Sequence, residues 1–419
     1  MGKNTRTGQE ERWFSVFLIC FWITAFFSEG AYASYLTSLG YGEALIGRVM
    51  ASLGLASLFF MPAGGYLADR FSNYRALTAV CVCIVASMIW LVCWKPSVTV
   101  VYIFTVIGIG ASRVLEGFLD SWIGKISKEE KELDYGKIRS SGSIAYAISA
   151  PILGRLYSRV GYITAGYTAV ILAFISLFAA YKLRNPVLTE GKEKGPSLRE
   201  TVRYLRGNRK YLAFLISIMQ IRNARYFRYL RGNRKYLAFL ICMMLMNVTA
   251  QSFYGFIGVL VENIGGDVEN LGIYYFILAF LEFLVVRNFS KITAKIGLKN
   301  TIVLSMVGTA IKSVAPTLVH SMAGFYCCAA TQCISFALSM PSMPVYQARY
   351  VDKEYLSTGL LVTTTCSTGL ISFLLSATYG QVAERIGVAL MLRWFSLFAL
   401  IAAVLFWFIG PKDETETET

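Results

Sequence analysis

Apolar runs of about 20 residues recur along nearly the whole chain, and this restricts the fold to segments that cross a lipid bilayer. In hydrocarbon each backbone N–H and C=O needs an internal partner, which only helices and closed barrels provide. A barrel strand needs about 9–11 residues, so runs this long read as helices. We place twelve spans, at 13–37, 43–67, 76–95, 99–123, 139–160, 162–183, 236–261, 271–288, 301–319, 322–346, 357–378 and 387–410. Mean hydropathy is +0.54, far above a soluble domain. The first run, from near Trp13, is too long for the core of a cleavable signal, and no small-residue cleavage site precedes the second span.

A formal charge of +15 raises the question of nucleic acid. Its distribution answers it. Lys3, Arg6 and Arg12, then Arg70 and Arg75, Lys125, Lys128, Lys131 and Lys137, Lys291, Lys295 and Lys299, and Arg349 and Lys353 all fall on one side of the twelve-span pattern. The opposite loops hold almost none, and 262–270 (ENIGGDVEN) is acidic. Positive charge stays inside, so both termini are expected in the cytoplasm of a multi-pass cell-membrane protein. The partners expected are lipid headgroups, not nucleic acid.

Six spans, a basic linker and six more spans divide the chain into 1–183, 184–235, 236–410 and an acidic tail at 411–419, which is expected to be disordered. The loop GGYLADRFSNYRAL after span 2 is echoed by FSKITAKIGLKNTI after span 8, with Ala294 and Lys295 in place of Asp69 and Arg70. Repeated halves of this kind place a binding site between them at the midplane. Within the linker, 203–216 (RYLRGNRKYLAFLI) is identical to 228–241. This reads as a recent tandem duplication, with a regulatory element as the other reading. Only the second copy runs on without charge to Val261, so it should start span 7, while the first lies on the cytoplasmic face as a basic amphipathic segment.

Charge at membrane depth marks the candidate site. An ionisable side chain at the bilayer centre costs about 2.5–3.5 kcal/mol even on the mildest scale and usually faces a wet pathway or a partner. Arg113, Glu116 and Asp120 lie within roughly 60° of one helix face in span 4. Arg139 begins span 5, and Glu29 sits in span 1, where it could bind solute, carry a proton, or pair with Lys312 or Arg113. An acid and an arginine at facing helix ends pair when empty and can hydrogen-bond polyols when loaded; a purely structural ion pair is the other reading of Asp120 with Arg139. Glu282 in span 8 and Lys312 in span 9 form a second set. A carboxyl in an apolar span can take and release a proton near neutral pH; a satisfied structural pair is the other reading of Glu282 with Lys312. These groups are expected to converge on one central chamber. Pro341 and Pro344 should break span 10, and Trp22, Tyr32 and Trp122 are aromatic candidates for lining or packing.

Other chemistries find little support. The nine cysteines, Cys20, Cys81, Cys83, Cys93, Cys242, Cys327, Cys328, Cys333 and Cys366, sit inside apolar spans as small buried hydrophobes, without metal-ligand spacing. The single histidine, His320, falls at an outer span end, too far out for a central relay. No phosphate-binding GxxxxGK[ST] occurs, and no nucleophile–base pair is visible, so an enzyme is not expected.

Gly65-Tyr-Leu-Ala-Asp69-Arg70, with Arg75 following, resembles the signature loop of the major facilitator superfamily, Ser72 replacing the usual second glycine. Asp120 followed by YGKIRSSGS at 135–143 resembles the lactose permease-like proton symporters, including oligosaccharide and nucleoside symporters. The resemblance implies an all-α polytopic fold of twelve transmembrane helices in two pseudo-symmetric six-helix bundles. It implies a monomer that imports a small polar solute with a proton by alternating access and needs no cofactor beyond that proton. It places solute binding on Asp120 and Arg139, stacking on Tyr146, with Glu116 and Glu29 nearby, and proton coupling on Glu282 and Lys312. Gly65, Asp69, Arg70 and Arg75 fall in the gating loop. The usual span-10 histidine is replaced by Gln332 or Ser335, and the span-9 cation is lysine, so the proton route does not transfer whole. Rival readings are an efflux antiporter (AISAPILGR in span 5 partly matches that pattern, broken by Ala150 and Arg155), an organic-anion symporter, and a transport-dead sensor or scaffold using the basic linker.

Overall fold

The computed structural model describes residues 2–70, 73–129, 135–186, 229–352, 362–363 and 365–411. They form twelve long helical segments. In the first half, α1 runs Gly2–Ala25, through a π-turn at Phe26–Ala31, to Tyr32–Ser38. Then come α2 (Glu43–Arg70), α3 (Tyr74–Trp94), α4 (Val98–Ile103, a π-turn Phe104–Gly108, Ile109–Glu129), α5 (Tyr135–Val160) and α6 (Ile163–Lys182). The second half holds α7 (Arg234–Asn263), α8 (Val268–Arg287), α9 (Leu298–Val314), α10 (Met322–Cys328, a 3-10 turn Ala329–Ile334, Phe336–Tyr350), α11 (a π-turn Thr365–Leu370, then Ile371–Ile386) and α12 (Val388–Ile409). A short helix, Phe289–Ile296, occupies the loop that echoes the signature loop. Eight of the twelve are long and apolar enough to cross a membrane on length and composition alone.

Outward faces carry the apolar surface. Ile144, Ile148 and Ile152 form an exposed i, i+4, i+8 stripe on α5, and Phe174, Trp394 and Phe408 are likewise exposed. The opposite face of α5, through Arg139, Gly142, Tyr146, Ala150 and Gly154, turns inward. The second copy of the duplicated segment leads into α7, as its uninterrupted apolar run requires: Asn233 caps α7 by accepting from the Tyr236 amide at 3.0 Å and donates to the Tyr350 carbonyl at 2.7 Å. The first copy and the tail lie outside the described residues.

The halves meet at the end of the bundle away from the termini. There α2 packs along α11, α5 along α8, and Tyr32–Ser38 against α7. A Cβ on Gly54 would collide with the Phe373 backbone, and one on Gly272 with the Ala150 carbonyl, so only glycine permits these approaches. Polar contacts close the rim: the Ser158 hydroxyl donates to Asp267, and Arg155 lies 3.8 Å from Glu269. Ala150 and Arg155, which break the antiporter-like pattern, thus serve this seam. Gly272→Val should wedge the seam apart at about 1–3 kcal/mol, as overpacking does. Cross-linking between cysteines placed at Ser158 and Asp267 should fall accordingly; unchanged cross-linking would contradict this packing.

Two expectations need correcting. Pro341 and Pro344 sit inside a continuous helix. The break in α10 comes earlier, at the 3-10 turn ending in Ser335 (φ −109°, ψ −107°), where the tightened backbone carries Gln332 inward. The cysteines are free, but Cys83 and Cys327 are exposed on the outer surface, not buried.

Candidate functional site

Two polar groups sit inside the bundle, one in each half. The first is a chain of charges. Glu29 lies in the π-turn of α1, where the extra residue per turn shifts its side chain toward α4. Its Oε1 stands 2.9 Å from Arg113 Nη1, which settles its partner as Arg113, not Lys312. Arg113 also reaches Glu116 at 3.5 Å, one turn along the same face. Arg139 at the start of α5 continues the chain, 3.2 Å from Glu116 and 3.6 Å from Asp120. Three carboxylates and two guanidiniums therefore alternate across α1, α4 and α5. Each is only partly buried, with side-chain exposures from 22% to 38%, so the chain can exchange partners with a solute.

Aromatic groups flank this chain. The Arg139 guanidinium lies 4.9 Å from the Trp22 ring centroid, and Trp22 can sit there because a Cβ on Gly142 would collide with the indole. Tyr146 packs edge-on against Trp22 at 6.1 Å and against Tyr275 of α8 at 6.2 Å, so it joins the two halves. Tyr32 and Trp122 do not line the site: Tyr32 is buried and bonds Thr105 at 2.7 Å, and Trp122 donates to the Arg184 carbonyl at 2.8 Å.

The second group lies between α7, α8, α9 and α10. Lys312 Nζ donates to Gln332 Oε1 at 2.6 Å and to the Tyr254 hydroxyl at 2.7 Å. Gln332 Nε2 in turn donates to Glu282 Oε2 at 2.8 Å. The pair expected from the sequence is thus relayed by one amide, and only one orientation of that amide satisfies both neighbours. Where the resembling symporters carry a histidine, Gln332 rather than Ser335 occupies the bridging place.

A cavity of about 290 Å³ lies in the second half, lined by α7, α9, α10 and α11. It extends from Met243 and Met343, on the side of the termini, to Tyr254 and Lys312. The charges do not surround the one central chamber that their inward placement on the helices predicts. Instead only Lys312 among them lines this cavity, while the Glu29–Asp120 chain stands across the Tyr146–Tyr275 contact. Asn247, Gln251 and Tyr254 also line it and were missed. Their spacing of i, i+4, i+7 within an apolar run was the available signal.

In the signature loop, Gly65, Asp69 and Arg70 end α2, and the next two residues lie outside the described set. Arg75 Nε donates to the Leu183 carbonyl, and its amide donates to Asn185 at 3.1 Å, tying the loop to the end of α6 within the same half.

A model of the Major Facilitator Superfamily matches residues 12–374. The chain belongs to this superfamily of transporters. Solved structures of the same fold include the nucleoside transporter NupG (D323A mutant), at TM-score 0.77 and 16% identity, covering 97% of this chain and 100% of that one. A POT family transporter in complex with a thioalcohol-conjugated peptide aligns at TM-score 0.72 and 14% identity, over 96% of this chain and 95% of the other. A bacterial homolog of the human lysosomal transporter Spinster, inward-facing and unoccupied, aligns at 0.66 and 13%, over 97% and 98%. A search of curated proteins returned no match.

Proposed function

We propose that this facilitator is a proton-coupled symporter of the cell membrane, importing a small polar solute of the sugar, oligosaccharide or nucleoside class by alternating access. The observation that carries the proposal is the Glu282–Gln332–Lys312 relay at the wall of a cavity. A carboxyl connected through one neutral amide to a cavity-lining ammonium can signal its protonation to whatever occupies that cavity. Asp120 and Arg139 would hold solute hydroxyls, with Tyr146 stacking on a ring, and Glu116 and Glu29 would re-pair with the arginines as the solute leaves. The likeness to NupG supports a nucleoside among these solutes. With both termini cytoplasmic, the seam at Gly54 and Gly272 closes the outer side, and the cavity lies toward the inner one. Solute and proton then leave inward, and opening of the seam exposes the same groups to the outside. The protein acts as a monomer with the proton as its only coupling partner.

Uptake into proteoliposomes tests this. A pH gradient, acidic on the side of the seam, should drive solute accumulation, and a protonophore should collapse it. Accumulation indifferent to the protonophore would reject proton coupling; faster exit than entry under the same gradient would favour an antiporter.

A further inference from the structure

We infer that the Lys312 cavity receives a solute bearing one negative charge, and that this anion and a proton on Glu282 load together as a neutral pair. The inference rests on the reading of Glu282 as proton carrier and narrows the polar solute of that reading to its acidic members, such as a sugar acid.

Lys312 is 3% exposed yet lines the cavity. Its ammonium has three donors, and the described partners take two: the Tyr254 hydroxyl and the Gln332 carbonyl oxygen. Both are neutral. The rings of Tyr254 and Phe253, at 4.5 and 5.3 Å, add cation–π contact without a counter-charge. The other described residues lining the cavity are apolar, hydroxyl or amide groups and bring no acid. Burying an ammonium without a counter-ion is costly, so its compensating charge must come from elsewhere.

That charge is Glu282, which reaches Lys312 only through the Gln332 amide. Of the described groups around Glu282, Lys312 comes from α9, Gln332 from α10 and Tyr254 from α7, and only Lys312 is cationic. When Glu282 takes a proton, Lys312 loses its compensation, and the described contacts leave its third donor for a group in the cavity it lines. An anionic group entering there restores neutrality. The proton therefore raises the affinity for the anion, and the anion raises the affinity for the proton by the same factor. A cavity of about 290 Å³ sits at the lower edge of small-molecule sites, which suits a compact monocarboxylate. The side-chain amides of Gln251 and Asn247 line the same cavity and can donate to its second oxygen, whereas the Ser335, Ser339 and Thr309 hydroxyls already donate to backbone carbonyls.

Thermal stability of the purified full-length protein, measured with glucuronate against glucose and benzoate against benzamide, tests this. The expected result is stabilisation by at least one carboxylate over its neutral counterpart, stronger at acidic than at alkaline pH. Lys312→Gln should weaken that response at least tenfold, as loss of a charged hydrogen bond does, and Lys312→Arg should restore the preference. Glu282→Gln should make it independent of pH. The inference is overturned if the neutral members stabilise as well as the acids, if Lys312→Gln responds as the parent does, or if neither carboxylate shifts the melting temperature. A response to the neutral members alone would end the anion reading while leaving proton-coupled transport standing, which the protonophore measurement decides separately.

Discussion

Glu282→Gln is expected to stop uphill accumulation while solute exchange across the membrane continues. With one proton per solute, each pH unit of gradient can support at most about a tenfold solute ratio, because a factor of ten corresponds to about 1.4 kcal/mol. A glutamine at 282 keeps the shape of the carboxyl and still offers an oxygen to Gln332 Nε2, which lies 2.8 Å from Glu282 Oε2 in the native protein. Packing should therefore survive. What is lost is the group that gains and loses the proton, so the ratio of solute inside to outside should fall to one under any pH gradient. Counterflow with solute preloaded on both sides should persist, because the halves can still rock around a relay whose residue 282 is fixed in the neutral form. Intact accumulation in the variant would remove Glu282 from the coupling step.

Arg139→Gln is expected to lower both stability and transport, and the two losses should separate on a second substitution. Arg139 serves Glu116 at 3.2 Å and Asp120 at 3.6 Å, with its guanidinium over Trp22. Without it, the described ion pairs leave Glu29 and Glu116 on Arg113 alone and remove Asp120's pairing with Arg139. Removing one member of a fully buried pair costs about 3–5 kcal/mol, but this side chain is 30% exposed, so a loss of about 1–3 kcal/mol is expected. Transport should fall at least tenfold, as loss of a charged hydrogen bond to solute does. Adding Asp120→Asn restores the charge balance and should recover the melting temperature. Transport should stay low if this pair handles solute; recovery of both together would make it a structural ion pair only. Arg139→Lys should fall between, since a lysine keeps the charge but not the planar fork that reaches two acids at once.

How much was readable before the fold was known differs from residue to residue. The twelve helices followed from run length, and the inward set on α4 followed from the 100° step that brings Arg113, Glu116 and Asp120 together. The pairing of Arg113 with Glu116 was legible because both lie on one helix. The partner of Glu29 was not. Arg113 and Lys312 were equally plausible in one dimension, and the π-turn of α1, invisible to a 3.6-residue period, contributes to the choice. The break in α10 was placed at its prolines because proline lacks an N–H; the helix tolerates both and yields at Ser335 instead.

Hydropathy and charge spacing are local properties, written along the chain, and they determined by themselves that this protein is a bundle of membrane helices with ionisable groups turned inward. Which inward groups meet was decided only by packing. Gln332 lies 50 residues from Glu282 and 20 from Lys312, and it bridges them because α8, α9 and α10 converge there. The cavity lies beside Lys312 and not beside Arg139 for the same reason: a void is what neighbouring helices leave unfilled, and no single helix carries that information.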